Sequence, residues 1–98
     1  MTNLDNSCQP SVEKFNNYGT VVYRHSVTGQ YHRDDGPAII YQDGVRCWYQ
    51  HGYRHRLDGP AIEWPDGTHE FWFEGHKFGA KTFQKAYDLY LTWKVLNS

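Results

Sequence analysis

Short runs of β-branched and aromatic residues, separated by turn signals, occupy the middle of the chain. Each run is five or six residues long, and two of the turns between them contain Asp-Gly, at Asp43-Gly44 and Asp66-Gly67. Such runs bounded by turn residues predict a meander of antiparallel strands. The runs are PAIIY, VRCWYQ, PAIEW and THEFWF.

The expected turn type sets the register of these strands. If each Asp-Gly pair is a two-residue type I′ turn, Ile39 faces Trp48 and Ile62 faces Phe71. This register predicts a core face carrying Ile39, Tyr41, Trp48, Ile62, Trp64, Phe71 and Phe73. It predicts an opposite, more polar face carrying Ile40, Cys47, Tyr49, Glu63, Glu70 and Trp72.

A repeat of 23 residues organises these strands. Gly29, Gly52 and Gly75 are separated by 23 residues each, and residues 30–52 aligned without gaps on residues 53–75 give ten identical positions. A fixed period of this kind is typical of proteins built from stacked supersecondary units. We therefore expect a mainly β (α+β) domain of hairpin repeats over residues 19–79.

A C-terminal helix is expected to close the repeats. Residues 82–96 contain no Gly or Pro, Thr82 is a suitable N-cap, and apolar residues recur at helical spacing. The stripe comprises Phe83, Ala86, Tyr87, Tyr90 and Trp93, with Leu89 and Leu96 widening it. Residues 16–98 then form one domain, and the polar residues 1–15, which show no periodicity, are predicted to be a flexible segment.

Composition and charge exclude several classes of protein. The chain has 10 Lys and Arg against 11 Asp and Glu, which argues against general binding to a phosphate backbone. The spacing of Cys8 and Cys47 suggests neither a disulfide framework nor a zinc site, so we expect free thiols. With neither a signal peptide nor a run of about 18 apolar residues, the protein is expected to be cytoplasmic, without a membrane partner.

The repeat motif resembles a known family. The stretches HRDDGPAIIYQDG and HRLDGPAIEWPDG are similar to the HR-x-DGPA hairpin repeats of bacteriophage and large-virus proteins, which are related in style to MORN repeats. The likeness covers residues 19–79 and ends where GHKFGA replaces the motif. The resemblance implies a virus-encoded interaction or scaffold module in the host cytoplasm, and it implies no cofactor.

The repeated motif residues are expected to serve the turns. We expect Asp35 and Asp58 to accept backbone N–H bonds in the turns, and each motif histidine to form a hydrogen bond to the adjacent unit. The turn set is His32, Asp35, Gly36, Pro37, His55, Asp58, Gly59 and Pro60. The alternative is a small hydrolase in which His32 with Asp35, and His55 with Asp58, act as acid/base pairs. The six histidines suggest no metal site, because the His51 to His55 spacing spans a turn.

Surface recognition is the remaining class of function. Aromatic and Arg side chains dominate protein interfaces, so we expect a partner-binding patch of Tyr49, Trp72, Ile40, Tyr31, Tyr53 and Arg54. The expected activity is non-catalytic binding to, and inhibition of, a host defence or housekeeping protein. A nucleotide sponge using Arg33, Arg46, Arg54 and Arg56 is the alternative. An exposed sheet edge could also pair two copies into a homodimer.

Overall fold

The computed structural model describes residues 12–97. These residues contain ten strands and one helix, joined by turns and loops. The strands are β1 (Val12–Asn17), β2 (Thr20–His25), β3 (Ile39–Ile40), β4 (Arg46–Cys47), β5 (Tyr49–Gln50), β6 (Tyr53–Arg54), β7 (Ile62–Glu63), β8 (His69–Glu70), β9 (Trp72–Phe73) and β10 (His76–Lys77), and the helix is α1 (Phe83–Leu96). The protein is therefore mainly β with one C-terminal helix, as predicted.

All strand pairs are antiparallel, and the chain forms a thin sheet structure. Six strands join in the order β1-β2-β3-β4-β7-β8, while β5 pairs with β6 and β9 pairs with β10. The molecule measures 49 × 36 × 17 Å along its principal axes. A thickness of 17 Å accommodates one sheet with one helix against it, since packed layers lie about 10 Å apart.

The predicted boundary of the N-terminal segment is wrong. Residues 12–15 belong to β1, which pairs with β2 from Val12 opposite His25 to Asn17 opposite Thr20. Residues 1–11 lie outside the described residues. The polar composition of VEKFNN concealed this strand, because an edge strand with both faces largely exposed lacks the alternation that sequence reasoning looks for.

The Asp-Gly turns contain three residues rather than the predicted two. The N–H of Tyr41 bonds to the carbonyl of Val45 at 2.9 Å, and Ile39 pairs with Cys47 instead of Trp48. The second hairpin is the same, with Ile62 opposite Glu70. The two-residue turns occur elsewhere, at Tyr18-Gly19, His51-Gly52 and Glu74-Gly75, where both residues have the positive φ that a type I′ turn requires.

This one-residue difference moves the second strand of each hairpin to the other face. Ile39 and Ile62 share a face with Cys47, and these three buried residues form one core cluster. We call this the front face. The predicted core face and its polar counterpart were therefore wrong for the second strands, because Trp48, Phe71 and Phe73 lie opposite to Ile39 while Cys47, Tyr49, Glu70 and Trp72 lie beside it.

The opposite surface, which we call the helix face, carries the second cluster. Phe71 and Phe73 pack against Ala86 and Tyr90 of α1, and the Phe73 and Tyr90 rings stack with centroids 4.6 Å apart. The helix therefore covers the C-terminal part of this face. The partly buried residues packed around the cluster are Phe78, Ala80, Phe83, Tyr87 and Trp93.

The helix begins and docks through specific polar contacts. The Thr82 hydroxyl accepts the N–H of Lys85 at 3.2 Å, which is the predicted N-cap. Tyr90 donates its hydroxyl to the Glu74 carboxylate, and Lys94 reaches the same carboxylate at 2.9 Å. Leu89 and Leu96 do not widen the buried stripe as predicted, because they are 42% and 78% exposed.

Candidate functional site

Each HR-x-DG loop is held by its own arginine. Arg33 Nε donates to Asp35 Oδ1 at 2.9 Å and Nη1 donates to the Pro37 carbonyl at 3.2 Å, while its Cζ lies 3.9 Å from the centre of the Tyr23 ring. The sequence predicted instead that Asp35 would accept backbone N–H bonds. The predicted donor was wrong: the carboxylate of Asp35 accepts from the Arg33 guanidinium, whose several N–H groups can bind a carboxylate and a carbonyl at once.

The second loop repeats these contacts with its own residues. Arg56 donates to Asp58 Oδ1 at 2.8 Å and to the Pro60 carbonyl at 3.0 Å, and it stacks on Trp48 at 3.9 Å. A Cβ on Gly59 would lie 2.9 Å from the Arg56 Cζ, and a Cβ on Gly36 would lie 3.0 Å from that of Arg33. A side chain at either position would require the guanidinium to shift, so glycine permits the close approach that is seen in both loops.

The two motif histidines tie each loop to the following hairpin turn. His32 Nδ1 accepts the N–H of His51 at 3.0 Å, and His55 Nδ1 accepts the N–H of Glu74 at 2.9 Å. Burial lowers the pKa of both imidazoles, so the neutral, accepting form is favoured. The lone pair that a general base would use is thereby committed to the backbone.

The acid/base pairs considered for a hydrolase are not formed. Asp35 and Asp58 bind the two arginines, and the carboxylate near His32 Nε2 is Asp34, at 3.2 Å. The geometry of these loops therefore supports a structural arrangement rather than a general-base site.

Three imidazoles gather at the first loop. The ring centroid of His32 lies 5.3 Å from that of His25 and 4.4 Å from that of His51. Within residues 12–97, however, no group of three or more His, Cys, Asp or Glu side chains is arranged to hold a metal ion.

Four of the six predicted partner-binding residues lie together on the front face. Strand pairing places Arg24 opposite Tyr31, Tyr49 opposite Arg54 and Trp72 opposite Lys77. Backbone hydrogen bonds link these pairs to one another, from Arg33 to Tyr49 and from Arg56 to Trp72. The result is a continuous line of side chains, which we call the cation–aromatic row: Arg24, Tyr31, Tyr49, Arg54, Trp72 and Lys77.

Cations and rings contact each other along this row. Arg24 Cζ lies 4.6 Å from the centre of Tyr31, whose centroid lies 5.2 Å from that of Tyr49. Arg54 Cζ lies 5.9 Å from the Tyr49 centroid and 4.8 Å from that of Trp72. Such contacts hold cations over the faces of aromatic rings and stabilise both.

The row rests on the front-face core cluster and is itself half-buried. Tyr31, Tyr49 and Trp72 pack against the cluster and keep a part of each ring exposed. Among the described residues, Arg54 Nε is buried and has no hydrogen-bond partner. Burial raises the pKa of the Cys47 thiol beneath the row, which keeps it protonated and neutral at pH 7.

Two of the predicted patch residues lie on the other side of the sheet. Ile40 alternates with Ile39 and pairs with Val21 and Arg46, so it lies away from the front face. Tyr53 pairs with Gln50 and is 61% exposed in a groove of about 480 Å³. The prediction of one patch containing all six residues was therefore wrong for Ile40 and Tyr53, because strand alternation separates them from the rest.

Sequence reasoning missed Arg24 and Lys77. Lys77 lies 23 residues after Arg54, so the repeat period carried the signal for it. Arg24 precedes a turn of four residues between His25 and Gln30, whereas the turn between Gln50 and Tyr53 has two residues. The even insertion preserves the face of Arg24, but a gap-free alignment does not reveal it.

A larger groove lies between the two HR-x-DG loops. Its volume is about 650 Å³, and Trp48, Gln50 and His55 contribute to its lining. Its two arginines, Arg33 and Arg56, already bind carboxylates and stack on protein rings. A nucleotide that binds in this groove would therefore meet arginines that already have protein partners.

Comparisons with known proteins find no match to this chain among protein-family models, curated proteins or solved structures. In the described part of the chain, α1 is too short and too polar to span a bilayer.

Proposed function

We propose that this protein is a non-catalytic binding module whose front face contacts a protein partner through the cation–aromatic row. The observation that supports the proposal is the row itself, in which Tyr, Trp and Arg side chains lie half-exposed on one side of a thin sheet. Aromatic and Arg residues held in place by neighbours supply most of the binding energy at protein interfaces.

The arrangement of the row also lowers the cost of binding. Ring–ring and cation–ring contacts already restrict Tyr49 and Arg54, so less side-chain freedom is lost when a partner covers them. A surface of this kind needs no catalytic group. By its resemblance to viral repeat proteins, we propose a phage-encoded protein that inhibits a host protein in the host cytoplasm.

Affinity capture with matched baits tests this function. The baits are the wild-type chain, Arg54→Met in the row, and Arg46→Met, whose side chain lies on the opposite face beside Glu63. We expect one host protein to be retained in stoichiometric amount by the wild type and by Arg46→Met, and to be lost with Arg54→Met. Thermal melting of the three baits checks that each is folded.

Two outcomes would contradict the proposal. Retention of the same protein by all three folded baits would place its contact outside the row. Recovery of the bait alone would count against a protein partner, and mass spectrometry for a co-purifying nucleotide would then test the sponge alternative.

A further inference from the structure

The arginines of this protein divide into two groups by their carboxylate partners. Arg33, Arg46 and Arg56 each lie within 4.0 Å of an Asp or Glu oxygen, at 2.9, 3.8 and 2.8 Å. Arg24 and Arg54 have no such partner within residues 12–97, and both belong to the cation–aromatic row. The front face therefore carries the two guanidinium groups that have no carboxylate oxygen within 4.0 Å among residues 12–97, although Glu70 acts on Arg54 over a longer distance and Glu13 lies opposite Arg24 on β1.

The contacts of these two arginines leave room for an external acceptor. Arg24 donates through Nη1 to the Gly29 carbonyl at 3.0 Å, and Arg54 makes ring contacts but no hydrogen bond through its buried Nε. A guanidinium has five N–H donors in a fixed fork, and a carboxylate can accept two of them at once. Nε of Arg54 is buried, so the remaining donors of the two guanidinium groups are the ones that a partner's carboxylate can reach.

From this, and resting on the proposed function, we infer that the partner presents an extended acidic segment with one carboxylate for Arg24 and one for Arg54. Three strand-to-strand steps separate the two arginines along the row, which is roughly 14 Å at about 4.8 Å per step. An extended chain covers that distance in about four residues at roughly 3.4 Å per residue. Acidic residues at positions i and i+4, with apolar residues between them, fit Tyr31 and Tyr49 in the middle of the row.

A nucleic acid fits the same surface less well. The row contains only two unpaired arginines, and its remaining cation, Lys77, is bound to Glu70 at 3.3 Å. Glu13 lies opposite Arg24 on the neighbouring strand. Glu13 and Glu70 would oppose any anionic ligand alike, so the number of available cations decides: few phosphates could be paired, and few phosphate contacts give little affinity at physiological salt.

The test uses a fluorescein-labelled peptide containing Glu-Val-Pro-Val-Glu between Gly-Ser flanks, where Pro favours an extended chain. Its controls are the same peptide with Gln in place of both Glu, and labelled oligothymidylate of 12 nucleotides. Fluorescence polarisation measures binding to the full chain. We expect the Glu peptide to bind more tightly than both controls, and more weakly as salt is raised.

Variants locate the contact. Arg24→Gln and Arg54→Gln should each weaken binding of the Glu peptide roughly tenfold, as loss of a charged hydrogen-bonding partner does. Arg46→Gln, on the opposite face, should leave it unchanged. Arg54→Lys retains the charge but lacks the fork, so its loss should be smaller than that of Arg54→Gln. Melting temperatures confirm that the variants are folded.

Each outcome decides the inference separately from the proposed function. Equal binding of the Glu and Gln peptides, tighter binding of oligothymidylate, or no measurable binding of the Glu peptide would overturn the acidic segment. The capture experiment with Arg54→Met would still support a protein-binding row in those cases. If capture returns no partner while the Glu peptide binds through Arg24 and Arg54, the row recognises acidic chains but the host-protein function is wrong.

Discussion

The two faces of the sheet close their hydrophobic clusters in different ways. On the helix face, α1 covers Phe71 and Phe73, so the cluster lies between two layers. On the front face, the cluster of Ile39, Cys47 and Ile62 is covered by aromatic side chains of the same sheet. A cluster covered by a helix presents the helix surface to a partner, whereas one covered by its own rings presents those rings directly.

This difference teaches which surface is suited to recognition. The rings of the front face pack on its core cluster and remain half-exposed, and Arg24 and Arg54 beside them have no carboxylate oxygen within 4.0 Å among the described residues. On the helix face, Phe71 and Phe73 are buried against α1. Both faces therefore contribute to stability, and the proposed binding surface lies on the face that the helix does not cover.

The largest expected effect comes from two neighbouring residues of β9 that point to opposite faces. Phe73→Ala should lower the free energy of unfolding by about 3–5 kcal/mol, because it leaves a cavity beneath the helix. Trp72→Ala should lower it by about 1–2 kcal/mol, because the ring is half-exposed and its contact with Arg54 is worth about 1 kcal/mol. Urea unfolding of both variants measures the difference. Equal losses of unfolding free energy would show that Trp72 contributes as much to stability as Phe73, and would contradict the difference between the two faces.

Acidification should weaken the contacts between each loop and the next hairpin turn. The lowered pKa of His32 and His55 means that the unfolded chain binds protons first as the pH falls below about 6.5. Stability should therefore be constant above this pH and fall below it, by at most about 1.4 kcal/mol per pH unit for each histidine. Unfolding measured between pH 7.5 and 5 tests this.

A double variant provides the control for this pH effect. His32→Asn with His55→Asn places a non-titrating amide oxygen where each Nδ1 accepts a hydrogen bond. The slope of stability between pH 7 and 5 should decrease in this variant. An unchanged slope would assign the pH dependence to other groups.

The smallest expected effect concerns the polar contact between the helix and the β9–β10 turn. Tyr90→Phe removes the hydrogen bond to Glu74 while retaining the ring on Phe73, so the loss should be about 1 kcal/mol. The Tyr90 hydroxyl, followed by Lys94, lowers the pKa of Glu74. This contribution is present at neutral pH and is lost as the carboxylate protonates below about pH 4.5.

Carboxyl NMR of Glu74 measures this last effect directly. Its pKa should rise in Tyr90→Phe, and binding through the front face should not change, since the contact lies on the other side of the sheet. Weaker partner binding in this variant would mean that the two faces are coupled.

The length of the Asp-Gly turns could not be predicted from the sequence. Asp43-Gly44 is compatible with a two-residue type I′ turn and with a three-residue turn whose last residue has positive φ. In the folded protein, Asp43 accepts the N–H of Val45 at 3.2 Å, and a Cβ on Gly44 would lie 2.9 Å from Pro65 of the next hairpin. Contacts between hairpins thus accompany the three-residue turn, and a local pattern does not contain them.

The candidate surface could be predicted only in part, because the register of the strands decides which side chains share a face. The aromatic content and the 23-residue period pointed to Tyr31, Tyr49 and Trp72. Membership of a common face depended on the strand register, which placed Ile40 and Tyr53 elsewhere. The partners of Asp35 and Asp58 also depended on the fold, because the guanidinium groups of Arg33 and Arg56 lie beside them in the folded loops.

The amino-acid sequence alone was enough to predict the β-hairpins of residues 30–75 and the helix start at Thr82, because these follow from local propensity and from the identity between residues 30–52 and 53–75; it did not reveal β1. Tertiary structure decided the turn length, and with it which side chains share a face. A shift of one residue in register exchanges the two faces of a strand, so the register is selected by the burial of one face when the hairpins pack together. The division between a helix-covered core and an exposed cation–aromatic row therefore arises only in the assembled sheet.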